Sequence, residues 1–168
     1  MSDTFKPSNS FEIENSRGFY AKLCDEFEEF DNEHLNPRHA INAAITSWHL
    51  TDWTYQEFFK SDSRFQDSKE NGRTISGLSK YQDYVKKQCP ELEYMRQITN
   101  GSKHCKVNQK SRTEISKGDF VPYDFNRHDF NVPKFVILKD NSDEELDFED
   151  LLVKTKEFWK TYLERLYS

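Results

Sequence analysis

Two short polar clusters sit where the surrounding spacing predicts helix core. The first, Trp48-His49-Leu50-Thr51-Asp52-Trp53, sets an imidazole and a carboxylate one helical turn apart. The second runs from Arg96 to His104 and carries Arg96, Asn100, Lys103 and His104. Arg and Lys hold phosphates and other anions, His transfers protons near neutral pH, and Asn positions a polar substrate. Counted along a helix, Arg96, Asn100, Lys103 and His104 project from one side, while Leu92, Met95 and Ile98 project from the other. In the first cluster, Ile41, Ala44, Ile45, Trp48, Tyr55 and Phe59 fall on one apolar stripe, with Asp52 in its middle. A carboxylate buried there must be hydrogen-bonded, paired with a cation or protonated, because burying it alone costs several kcal/mol. Arg96, Lys103 and His104 are the partners the second cluster offers. Joined to His49 and Asp52, they would make an acid–base and anion-binding constellation.

Each of these residues also has a plainer role. Asp52 is either a functional acid or half of a structural salt bridge with Arg96. His49, between Trp48 and Trp53, reads first as a packed ring, and the two tryptophans as core or interface aromatics. His104 is either functional or a cap near a helix C-terminus. His49, Asp52 and His104 would be too few for a metal site without a further ligand, so no metal and no other cofactor is expected. No P-loop, GxGxxG, GxSxG or HExxH motif is present, which removes the common nucleotide-binding, esterase and zincin readings.

The elements that must position these clusters follow from periodicity. After a lead over residues 1–15, flexible or packed through Phe5, Phe11 and Ile13, Ser16 is placed to cap a helix to about Glu33, with Phe19, Leu23, Phe27 and Phe30 on one face. Asn36-Pro37 restarts a long second helix, which the spacing carries to about Lys60. Residues 61–77 read as a polar loop with an Asn71-Gly72 turn, and a third helix spans Leu78 to Gln88. Cys89-Pro90 ends it, and Pro90 opens the fourth helix, which carries the second cluster. Beyond His104 the period changes to strand-like alternation at 105–116, 120–125 and, most clearly, Phe135-Val136-Ile137-Leu138. Leu151 to Leu166 marks a closing helix. The expected fold class is mainly α (α+β), a single domain over 16–168. It comprises a helical part at 16–104, a small antiparallel β insertion at 105–140 and a C-terminal helix at 147–167, about five helices in all.

Composition agrees. Charged residues make up 32% of the 168, which alone would suggest disorder, yet 14 Phe, 8 Tyr and 3 Trp supply a core of large rings. The net charge of −6 shows no overall basic stripe for coating nucleic acid, although residues 96–117 are locally cationic. Cys24, Cys89 and Cys105 lack CxxC spacing, so neither a disulfide framework nor a zinc knuckle is indicated. No apolar run approaches the roughly 20 residues that span a bilayer. A cytoplasmic protein without a membrane partner is expected.

A helical bundle with an Arg and a His near the end of a late helix resembles the HEPN superfamily (higher eukaryote and prokaryote nucleotide-binding domains). That resemblance implies a metal-independent ribonuclease, often dimeric, common among bacterial toxins and antiviral defence systems. The family motif is an Arg, then four to six residues and a His, commonly with Asn or another polar residue directly after the Arg. Arg96 and His104 match it in type and Asn100 is a further polar candidate, whereas Gln97 follows the Arg and seven residues separate Arg96 from His104. The chain is also similar to small bacterial proteins carrying WHLxDW-like and NGSKH-like segments. On this reading RNA is the partner, Arg96 and Lys103 hold its phosphate, and His104 is the general acid or base. Asn100 positions the substrate, and Asp52 and His49 orient the cluster. The competing expectation is a non-catalytic subunit or regulator of a larger assembly, dimerising or docking through its aromatic-rich helices.

Overall fold

The computed structural model describes residues 10–104, 111–116, 133–139, 142 and 144–168. Among the described residues five α-helices carry the fold: α1 (Ser16–Asn32), α2 (Pro37–Thr54), α3 (Gly77–Gln88), α4 (Leu92–Lys103) and α5 (Phe148–Leu166). Strands β1 (Ser68–Glu70) and β2 (Arg73–Ile75) form one antiparallel pair, and β3 (Ser111–Ser116), β4 (Lys134–Lys139) and β5 (Glu145–Asp147) a second sheet in the order β3-β4-β5. The mainly α (α+β) expectation holds. The strand-like segment expected at 120–125 lies outside the described residues.

Helix α2 is the axis of the bundle, contacting α1, α3, α4 and α5. Its innermost face is built from small and hydroxyl side chains, with Ala40, Ala43, Ala44, Ser47, Thr51 and Thr54 all buried at helical spacing. Small residues let neighbouring helices come close, and each buried hydroxyl needs a partner. Thr51 Oγ1 donates to the Trp48 carbonyl at 2.8 Å, Thr54 Oγ1 to Leu50 at 2.6 Å, and Ser47 Oγ to Thr155 Oγ1 of α5 at 3.1 Å. Trp159, fully buried on α5, donates its indole N–H to the Ser47 carbonyl at 3.0 Å. The apolar stripe expected from the wheel is therefore off-centre. Ile41 is exposed and Ile45 and Asp52 are half-buried, because the true core face is made of residues that hydropathy does not score as core.

The helical run does continue toward Lys60, but Tyr55–Phe59 is a π-helical turn. Side-chain hydroxyls of Thr51 and Thr54 bonding back to carbonyls at the end of α2 compete with the regular ladder, a recognised source of local widening. The wider turn carries Glu57 to the start of α1, where it accepts from Ser16 N and Oγ, both at 2.7 Å, and from the Tyr167 hydroxyl at 2.6 Å. Ser16 is thus tied to Glu57, and the α1 cap is Asn15, whose side chain accepts from Gly18 N at 2.9 Å. Phe11 is 99% exposed, so the lead is not packed through it, and Phe5 lies outside the described residues.

The 61–77 segment is more ordered than a loop. Asn71 and Gly72, with φ of 50° and 77°, supply the left-handed turn that closes β1 on β2. Gly77 then opens α3 against the chain it has just left: a Cβ there would meet the Phe65 carbonyl oxygen at 1.9 Å and the Tyr55 hydroxyl at 2.4 Å. Alanine favours helices over glycine, yet Gly77→Ala is expected to destabilise the fold by about 1–3 kcal/mol through overpacking. Urea unfolding of the variant measures it, and unchanged or raised stability would contradict this packing.

Candidate functional site

The two polar clusters lie on packed helices, and of the three partners expected for Asp52 it is Lys103 whose charge acts on the first cluster. Helix α4 packs along α2, and the charge of Lys103, at the last turn of α4, acts on both His49 and Asp52 of α2. Arg96 is turned elsewhere. Its guanidinium holds Glu93 in two hydrogen bonds, Nε at 3.0 Å and Nη2 at 2.5 Å, and Lys86 of α3 lies 3.2 Å from the same carboxylate. Against the cost of its burial, hydrogen bonds from Arg96 and Gln97 and the charges of Arg96 and Lys86 pull Glu93 down to about 2. The expected Asp52–Arg96 bridge is replaced by this brace. Its cause is the i, i+3 spacing of Glu93 and Arg96, which satisfies the guanidinium within its own helix.

His49 and Asp52 stand three residues apart on the half-buried side of α2. Burial lowers His49 below its ordinary 6.5, opposed by the charge of Asp52 and reinforced by Lys103 and Lys22. Burial raises Asp52 above its ordinary 3.8, and the charges of His49 and Lys103 only partly offset it. Desolvation thus moves the acid up and the base down, toward each other.

Lys22 of α1 is the member that reading the chain missed. It donates to Glu26 Oε1 at 2.6 Å and to Thr46 Oγ1 at 2.7 Å, which holds its cationic head over the part of α2 that carries His49. The one available signal was the i, i+4 spacing of Lys22 and Glu26, which occurs on many exposed helices.

His104 is exposed in extended conformation just past α4, its N–H bonded to the Asn100 carbonyl at 3.1 Å. Asn100 is half-buried one turn earlier. Trp48 is buried in the core, and Trp53 stacks on Phe19 with ring centroids 4.6 Å apart, so both tryptophans pack rather than face a ligand. Among the described residues no three His, Cys, Asp or Glu side chains are grouped to hold a metal ion, so His49, Asp52 and His104 are not a ligand set. No helix of the described residues is long and apolar enough to cross a membrane. Comparison with known proteins finds no match among family models, curated proteins or solved structures.

The raised Asp52 value has a sign that separates a site from a brace. A folded chain that binds this proton more tightly than the unfolded chain loses stability as pH rises from 3.8 through the raised value. Asp52→Asn is therefore expected to be more stable than the parent at pH 7, with the gain fading as pH falls through the raised value and gone below 3.8. Thermal melts across pH test it. Destabilisation by Asp52→Asn at pH 7 would mean that Asp52 is held in a favourable ion pair.

Proposed function

We propose that this protein binds RNA, or another phosphate ester, on the face where α1, α2 and the end of α4 converge, and cleaves RNA by side-chain acid–base chemistry. One observation supports this best: a desolvated His–Asp pair flanked by two lysines from different helices, Lys22 and Lys103. Burial alone would favour neutralising such a cluster, whereas the single negative charge of an RNA phosphodiester would meet the exposed Lys103 and a base already in place, with Lys22 held nearby by Glu26.

In this reading Lys103 holds the phosphate, and Lys22, paired with Glu26, adds only its charge from α1. Neutral His49 takes the proton of the substrate's 2′-hydroxyl as that oxygen attacks phosphorus. The bond from phosphorus to the 5′-oxygen breaks, and His104 gives that oxygen its proton, leaving a 2′,3′-cyclic phosphate and a 5′-hydroxyl. Asp52 orients His49, and Asn100 positions the chain end bearing Lys103 and His104. Arg96, neutralised by Glu93, is left to brace α4 rather than hold the phosphate. Of the Arg96 and His104 that carry the likeness to HEPN ribonucleases, only His104 keeps a part in this chemistry; a place in a bacterial defence or toxin system, as a dimer, is the setting that likeness would imply.

Incubation of purified protein with total RNA in EDTA, beside Lys103→Ala, His49→Gln and His104→Ala variants of matched melting temperature, tests the proposal. Cleavage by the parent, reduced at least about tenfold in each variant, is the expected outcome. The rate should rise with pH through a value below 6.5 as His49 loses its proton, and that limb should vanish in His49→Gln. Absence of both binding and cleavage by the parent would overturn the proposal and favour a non-catalytic subunit whose clusters brace the bundle.

A further inference from the structure

The face of α2 that carries the acid–base pair continues past it to an apolar pocket. Ile41, Ile45, His49 and Asp52 recur at i, i+4, i+8 and i+11, one stripe of the helix that its neighbours leave incompletely covered. At its N-terminal end lies a cavity of about 100 Å³ lined by Ala40 and Ile41 of α2, Ile98 of α4, Thr113 and Phe135 of the sheet and Phe148 of α5. Among the described lining residues, Thr113 alone carries a polar side chain. Both ends of the stripe are flanked by α4, which gives Ile98 to the pocket and Lys103 to the charged cluster.

We infer that this pocket seats a nucleobase of the RNA whose phosphate is held by Lys103. The inference rests on the phosphate-binding reading and gives it a subsite. Two features select this occupant. The pocket is of the size class in which apolar cavities take a single planar ring, and its phenylalanine and isoleucine walls suit the π-face that every base carries. It is also continuous with the cationic end: Ile41 and His49 are eight residues apart, or about 12 Å along the helix axis. An apolar ring at one end and an anion at the other, a short step along a strand, is the pattern of single-stranded RNA. With only the Thr113 hydroxyl to offer a hydrogen bond, the pocket reads the size of the base more than its edge, so selection by purine against pyrimidine exceeds selection within either class.

The test uses fluorescent, uncleavable 2′-O-methyl hexanucleotides in which one abasic position is walked along the strand, with binding read by anisotropy. The parent should lose about tenfold in affinity when one particular position, and not its neighbours, lacks its base. Thr113→Trp, which fills the pocket from an exposed strand position, should bind the intact hexamer about tenfold more weakly and be indifferent to the abasic position. Ile41→Gln, at the exposed mouth, provides the same comparison if the strand variant is unstable. Tight binding by the parent with no preferred position, or with the same preference in both variants, overturns the pocket assignment and leaves the phosphate site standing. No binding of any hexamer by the parent overturns both.

Discussion

Helix α2 must be buried on several sides at once, and the rest of the structure follows from that constraint. A central helix approached by α1, α3, α4 and α5 cannot present large side chains to all of them. Ala43, Ala44, Ser47, Thr51 and Thr54 resolve the crowding, and their hydroxyls become the internal hydrogen-bonding of the core. The fully buried Tyr81 places its hydroxyl 2.9 Å from Thr54 Oγ1 and 3.3 Å from the Tyr162 hydroxyl, so α2, α3 and α5 are joined by one chain of hydroxyl groups. Burial pushes Tyr81 well above the ordinary phenol range, so it enters that chain only as a neutral donor and acceptor.

With the inner face closed, His49 and Asp52 fall on the remaining stripe of α2, where they are half-buried. Had Arg96 reached Asp52, the pair would have been a neutral internal bridge. Because Glu93 holds Arg96, the cation that reaches His49 and Asp52 from α4 is Lys103 instead, a long exposed side chain at a helix end. The distinction matters chemically. A guanidinium paired with a carboxylate has its charge offset within α4, while the exposed Lys103 ammonium keeps its charge available to a ligand.

The architecture was largely legible in the chain. Asn36-Pro37, Asn71-Gly72 and Cys89-Pro90 mark boundaries by backbone chemistry that tertiary packing seldom overrides, and Phe135 to Leu138 forms the central strand of its sheet. The centre of the core was not legible, because Ser47, Thr51 and Thr54 count as polar on any hydropathy scale although all are fully buried. The π turn at Tyr55–Phe59 has no periodic signature, and Glu57 capping Ser16 links residues 41 apart. For the site, His49, Asp52 and Lys103 could be picked out by type, but which cation would face the carboxylate depended on a Glu93–Arg96 pair inside α4. Lys22 reaches the site from a helix whose own pattern gives no hint of it.

Everything proposed for this face requires His49 to be a desolvated base under the influence of Lys103. A proton-detected NMR titration of the imidazole resonances, with His49 assigned through His49→Gln, measures this directly. The account predicts a midpoint below the ordinary 6.5 that moves upward in Lys103→Ala, since removing a neighbouring positive charge favours the protonated ring. A His49 midpoint at or above 6.5, or one that Lys103→Ala leaves unmoved, would contradict it.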